Sequence, residues 1–171
     1  GTDTHLHLEA RWSNGIFING LWLGKELSGT PGLSYGPLFT LIRERSVAPG
    51  ADTRWAPVFG AYASYALLHN LSLSARGYRV GGGDGAQLNV QASWYQSLGQ
   101  HHVIALGVGA HVADRRFLQT NFGAGPRAAG GVKDIYVEGR LRWELSSQIT
   151  LATGVEWQRL KGSAAASRVA K

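Results

Sequence analysis

A chain of 171 residues is long enough for one domain with a single core or for one small barrel, and its lack of cysteine excludes disulfide staples and thiol chemistry. Seventeen Lys and Arg against eleven Asp and Glu leave a formal charge of +6. The basic residues fall in small pairs (Arg43 with Arg45, Arg115 with Arg116, Arg140 with Arg142) and not in a run, so no nucleic-acid partner is expected.

No stretch approaches the roughly 18 consecutive apolar residues of a membrane helix; the best, Val103 to Ala113, is interrupted by glycine and histidine. The chain opens on the polar Gly1-Thr2-Asp3-Thr4 instead of a basic and then apolar leader, so an exported protein would be represented here by its mature form or a piece of it.

Thr4 to Trp12 alternates Leu6, Leu8, Ala10 and Trp12 with His5, His7, Glu9 and Arg11, and Ser13-Asn14-Gly15 then predicts a tight hairpin turn. Ile16 to Leu27 is apolar on both sides, and its faces are not separable by periodicity. After the break Gly29-Thr30-Pro31-Gly32, a third segment sets Leu33, Tyr35, Phe39 and Leu41 against Ser34, Gly36, Thr40 and Glu44. Pro37 lies inside that run, where it argues against a central strand of a soluble sheet but would be tolerated at a bulge or strand end.

A polar link, Arg45 to Arg54, leads into Trp55 to Leu68, with Phe59, Ala61, Ala63, Tyr65 and Leu67 on one parity, and a turn at His69-Asn70. Leu71 to Val80 places Leu71, Leu73 and Ala75 opposite Ser72, Ser74, Arg76 and Tyr78. The Gly81 to Gly85 link has no following helix signal and no Lys-Ser or Lys-Thr, so it reads as a loop and not as a phosphate cradle. Ala86 to Tyr95 alternates cleanly, with Leu88, Val90, Ala92 and Trp94 against Gln87, Asn89, Gln91, Ser93 and Tyr95. Beyond the link Gln96 to His101, Ile104, Leu106, Val108, Ala110 and Val112 alternate with small residues, before the longest link, Asp114 to Gly131.

Asp134 to Leu145 states the rule most plainly. Ile135, Val137, Leu141, Trp143 and Leu145 share one side; Asp134, Tyr136, Glu138, Arg140, Arg142 and Glu144 share the other. After Ser146-Ser147-Gln148 the pattern resumes, with Ile149, Leu151, Val155 and Trp157 against Thr150, Ala152, Glu156 and Gln158, and a hairpin with Trp143 across from Leu151 keeps every apolar side chain on one face. A soluble sheet would bury that face in a core. A transmembrane barrel turns it to lipid and encloses the charges, with aromatic residues near the ends of the apolar band.

Nine segments of about ten residues emerge, close to what a tilted strand needs to cross a bilayer. Links 69–70, 96–101 and 146–148 are short and links 45–54, 81–85 and 114–131 mostly longer, as at the two rims of an outer-membrane barrel. Tyr65, Trp94 and Trp143 each precede a short turn, where a periplasmic girdle would lie. The expected fold is an all-β, antiparallel up-and-down transmembrane barrel over residues 1–171, nine strands visible and about ten to twelve when complete, a terminal strand being absent at one or both ends.

The polar constellation expected to line the lumen is Arg76, Glu138, Arg140, Arg142, Glu144 and Glu156, read either as a charge-paired filling of a narrow barrel or as a selectivity lining for a small solute. No metal site or cofactor is expected: His5 and His7 share a face but have no identifiable third ligand. No catalytic set is expected either. His111 and Ser93 are candidate neighbours on adjacent segments, yet no carboxylate is evident to orient the imidazole. His101-His102 reads as a solvated turn.

Asp114-Arg115-Arg116-Phe117 followed by Gln119-Thr120-Asn121-Phe122-Gly123, and then Val132-Lys133-Asp134, resembles a stretch of the MipA/OmpV outer-membrane proteins that runs close to Q-T-Y-F-G-V and then G-L-K-D. Leu160-Lys161-Gly162-Ser163-Ala164 with Ser167 resembles that family's next loop, and Tyr35-Gly36-Pro37 matches its early Gly-Pro strand more loosely. Asn121 stands where Tyr is usual, and the Asp that should follow Gly162 is missing. The shared signature residues are Gln119, Thr120, Phe122, Gly123, Lys133 and Asp134, all of them loop residues and not a catalytic set.

The resemblance implies a non-enzymatic scaffolding protein of the Gram-negative outer membrane, surrounded by lipid and lipopolysaccharide and associated with a periplasmic murein transglycosylase and a murein synthase. The alternatives are a small porin, an outer-membrane lipid hydrolase and a soluble ligand-binding barrel.

Overall fold

The computed structural model describes residues 1–43, 55–81, 85–122 and 129–165. The Arg45–Arg54 link, residues 82–84, Gly123 and Ser167 lie outside the described residues, as does the side chain of Phe122.

The alternating segments become β1 (Thr2–Arg11), β2 (Ile16–Asn19), β3 (Trp22–Lys25), β4 (Leu33–Arg43), β5 (Trp55–Leu68), β6 (Leu71–Val80), β7 (Ala86–Ser97), β8 (His102–Ala113), β9 (Gly131–Glu144) and β10 (Ile149–Leu160), with helices α1 (Arg115–Phe122) and α2 (Gly162–Ala165). Each strand pairs antiparallel with its sequence neighbours, and β1 pairs with β10 from Thr2↔Trp157 to Ala10↔Ile149, closing a barrel. Leu151 lies across from Trp143.

The tenth strand comes from the segment whose faces periodicity could not separate. Ile16 to Lys25 is a short hairpin turning at Gly20, which takes φ 60°. Ile16, Ile18 and Leu23 are exposed. The inner face is aromatic instead of polar: Phe17 meets Tyr62 edge-on at 5.3 Å, and Trp22 meets Tyr78 at 5.4 Å. Both faces are therefore apolar for different reasons, one against lipid and one against other rings.

The hairpin spans only part of the wall, because β1 pairs with β2 only at Glu9 to Arg11, and β4 pairs with β3 only at Leu38 and Phe39. This accounts for Pro37. Tyr35 O accepts from Leu27 N on the β3 side, so the polar groups two residues on point the same way, and the N–H that proline lacks falls at the weakly paired edge while the ladder to β5 runs through Pro37↔Ala61.

The burial pattern is inverted relative to a soluble fold. Val90, Leu141 and Trp143 are 39%, 41% and 48% exposed, whereas Glu138 is 5% and Asp134 0%. Large apolar side chains on every strand from β4 to β10 cover the outer wall, with Tyr65, Trp94 and Trp143 exposed near the short-turn rim and Trp55 and Trp157 near the other. A surface this apolar suits hydrocarbon, with aromatic residues at each interface.

At the long-loop rim the interior is apolar. Ala56, Val58, Val80 and Ala113 point inward from the strands and pack against Phe117 and Leu118 of α1 and Ala164 of α2. The helix was not legible in the link, but its start has a physical cause: Asp114 caps it, its Oδ1 accepting from Phe117 N at 2.7 Å and its carbonyl from Leu118 N at 3.2 Å. Asp114→Ala is expected to lower the stability of the plug by about 1 kcal/mol, read as earlier proteolysis after Arg115 or Arg116 with the barrel's heat-shifted gel mobility intact.

Candidate functional site: a charged lumen closed at one end

Between the apolar plug and the short-turn rim lies a polar cavity of about 670 Å³. Inward-facing residues of nearly every strand line it, and Arg11, Tyr95, Ser147 and Gln148 mark its mouth at the short turns.

One wall, built by β7 to β10 and β1, is a continuous chain of hydrogen bonds and ion pairs. It starts beneath the plug, where Lys133 Nζ lies 3.0 Å from Asp134 and His111 Nδ1 donates to Asp134 Oδ1 at 2.6 Å. Asn89 Nδ2 then donates to His111 Nε2 at 2.7 Å, which fits the tautomer carrying its proton on Nδ1. The Tyr136 hydroxyl is shared between Asn89 Oδ1 (2.9 Å) and Gln91 Oε1 (3.0 Å), and Gln91 Nε2 donates to Glu138 at 3.1 Å. Glu138 accepts from Arg140 at 2.6 and 3.0 Å and faces His5 at 3.4 Å. Glu9 closes the chain, accepting from Arg142 at 2.5 Å and lying 3.1 Å from His7 and 3.8 Å from Arg140.

Glycine makes room for this network. A Cβ on Gly109 would sit 2.5 Å from the Tyr136 ring, which also stacks on His111 at 4.9 Å. Tyr136 is 2% exposed, so Tyr136→Phe leaves two amide oxygens without their shared donor, and a loss of about 1–2 kcal/mol is expected in urea unfolding from lipid vesicles.

The residues expected in the lumen divide three ways. Glu138, Arg140 and Arg142 belong to the network. Arg76 and Glu156 line the cavity, and neither has a charged partner within ion-pair distance among the described residues; the Arg76 guanidinium lies 5.4 Å over the Trp22 ring. Glu144 sits at the short-turn end of β9, exposed. Of the loop signature, Gln119 and Thr120 lie on α1, while Lys133 and Asp134 are on β9 inside the barrel and not in a loop.

The sequence missed Glu9 as the hub joining two arginines, and it missed the carboxylate that orients His111. Parity already placed Glu9, Asn89, Gln91, His111, Asp134 and Tyr136 inward; the pairing register was the absent information. That register also separates His111 from Ser93, since His111 pairs with Asn89 and Ser93 with Gly107. The imidazole has its orienting carboxylate, but its other nitrogen faces an amide and no serine. His5 and His7 stack at 5.4 Å, and each faces a glutamate; among the described residues no three His, Asp or Glu converge as a metal site. His101 and His102 are exposed at their turn, His102 stacked on Trp143 at 5.8 Å.

A family model described as MltA-interacting protein MipA matches residues 8–170. The chain belongs to the MipA family. With its closed ten-strand antiparallel barrel, it is an outer-membrane β-barrel protein of that family. No curated protein and no solved structure gives a significant match to the chain. In this MipA-family barrel the Asp114-to-Asp134 motif has a structural position: α1 lies across the long-loop rim, and Lys133-Asp134 anchors the hydrogen-bond chain directly beneath it.

Proposed function

We propose that this barrel is a non-enzymatic structural and interaction protein of the cell envelope. It sits among outer-membrane lipids and lipopolysaccharide and docks murein-remodelling enzymes, a transglycosylase of the MltA type and a murein synthase, on its periplasmic side. The family's description supports the transglycosylase. The observation that carries the non-transport, non-enzymatic part is the apolar plug: Phe117 and Leu118 are 9% and 2% exposed and fill the barrel end against Val58 and Val80, so the polar lumen ends blind. A network of paired charges along one wall, with one end of the barrel filled, acts as a rigid core.

On this reading a partner meets the short-turn rim, where Leu27, Leu68, Leu98 and Leu145 are all exposed. The test is co-purification of the detergent-solubilised barrel with MltA. A stable complex that weakens when Leu27 and Leu98 become Ser supports the proposal; a folded barrel that does not retain MltA contradicts it.

The polar mouth favours a second reading, a small porin. Planar-bilayer recording separates the two: the plugged barrel is expected to be silent, and steady single-channel conductance would establish the porin instead. A lipid hydrolase has less support, because the oriented imidazole of His111 has no nucleophile at its free side.

A further inference from the structure

Two half-buried charges in the lumen, Arg76 and Glu156, have no ion-pair partner among the described residues. On the network wall the ions match: Glu9 takes Arg142 and Arg140, Glu138 takes Arg140, and Asp134 takes Lys133, with the His5 and His111 rings beside Glu138 and Asp134. Among the described residues Arg76 on β6 makes no ion pair, and its guanidinium lies over the Trp22 ring. Glu156 on β10 is worse placed, because its cross-strand neighbours are Glu138 on one side and Asp3 on the other, a row of three carboxylates of which Glu138 is matched by Arg140. Like charges directly opposite one another in a sheet are destabilising, and an unpaired ion inside a barrel is costly.

The two groups are four strands apart in a ring of ten, so they approach the cavity from well-separated walls. Between them the lining combines hydroxyls and amides, Ser74, Asn89 and Gln91, with the network residues Tyr136, Glu138 and Arg140, which are engaged with one another. A volume of about 670 Å³ with one open end is the size of a small-molecule site.

The geometry points to a binding site for a small zwitterion in the lumen: a molecule whose carboxylate meets Arg76 and whose ammonium meets Glu156, entering from the short-turn rim. A guanidinium gives a carboxylate two parallel N–H donors, and the Trp22 ring beneath it holds the plane of that fork. An ammonium beside Glu156 relieves the acidic row, which an anion would aggravate and a neutral solute would leave as it is. The plug makes this a holding site, not a passage. The inference is independent of the murein-enzyme proposal and holds or fails without it.

The experiment uses the full chain refolded in detergent micelles, with folding verified by heat-shifted gel mobility and binding followed by calorimetry or NMR. The probe is L-alanyl-L-alanine, beside its N-acetyl form, which lacks the ammonium, and its C-terminal amide, which lacks the carboxylate. The free dipeptide is expected to bind at least ten-fold more tightly than either blocked form. Arg76→Gln is expected to reduce dipeptide binding to the level of the amide and leave the amide unaffected; Glu156→Gln is expected to do the same with respect to the acetylated form. If Arg76→Gln does not fold, Arg76→Leu serves, with the same loss of preference for the free carboxylate expected. A folded barrel that binds no dipeptide at millimolar concentration, equal binding of all three probes, or a discrimination that survives both substitutions would overturn the assignment.

Discussion

Replacing Val90 by Arg is expected to remove about 2–4 kcal/mol of folding free energy in a lipid bilayer, measured by reversible denaturant unfolding from vesicles. Val90 sits near the middle of β7 and is 39% exposed on the outer wall, so the new guanidinium must enter hydrocarbon or drag water with it. Leu141, 41% exposed on β9, should show a similar loss, somewhat smaller because it lies nearer the short-turn rim. A guanidinium introduced at Ser64, which lines the aqueous cavity, is expected to cost less than either. The size of the effect thus depends on which way the position faces and not on the substitution itself. Equal losses at Val90 and Ser64 would contradict the assignment of faces.

Glu138→Ala should be the most damaging change inside the lumen. Glu138 is 5% exposed and receives Arg140 through two hydrogen bonds, Gln91 through a third, and faces His5. Removing it leaves the Arg140 guanidinium against the remaining partner Glu9 at 3.8 Å and strands the Gln91 amide. Breaking a buried pair on one side costs about 3–5 kcal/mol, and since a quarter of the Arg140 side chain is exposed, a loss of about 3 kcal/mol is expected. Removing both charges together, Glu138→Leu with Arg140→Met, should recover most of it, because the cost lies in the orphaned ion more than in the lost pair. A double variant as unstable as the single one would show that packing, not charge matching, holds this wall together.

The period-two pattern made the architecture legible because lipid and lumen select opposite chemistries on alternate residues, and the strands β5 to β10 carry that contrast up to the apolar inner positions at the long-loop rim. It failed where the contrast disappears. Ile16 to Lys25 meets lipid on one face and Tyr62 and Tyr78 on the other, so nothing in hydropathy marked the turn at Gly20. The link after β8 hid α1, since its eight residues are mostly polar, with Phe117 and Leu118 held in the plug.

Inside the barrel, parity gave the membership of the lumen but not the partnerships. Glu9 and Arg142 are 133 residues apart, and they meet only because β1 closes on β10. Asp134 was legible as part of a loop signature, whereas its contacts with His111 and Lys133 depend on the β8–β9 register, which shifts at His111. The isolation of Arg76 and Glu156 is hidden for the same reason: whether a charge has a partner is a property of the closed ring, not of the strand that carries it.

Apolar side chains face hydrocarbon while the ions are enclosed, and site-directed spin labelling along β9 reads that arrangement residue by residue. The natural chain has no cysteine, so single cysteines from Ile135 to Trp143 can be labelled one at a time in vesicles without a background. Labels at Ile135, Val137, Leu141 and Trp143 are expected to collide with oxygen dissolved in the bilayer and to be shielded from an aqueous nickel chelate, and labels at Tyr136, Arg140 and Arg142 to be shielded from oxygen. The opposite phase, or no alternation at all, would contradict the account.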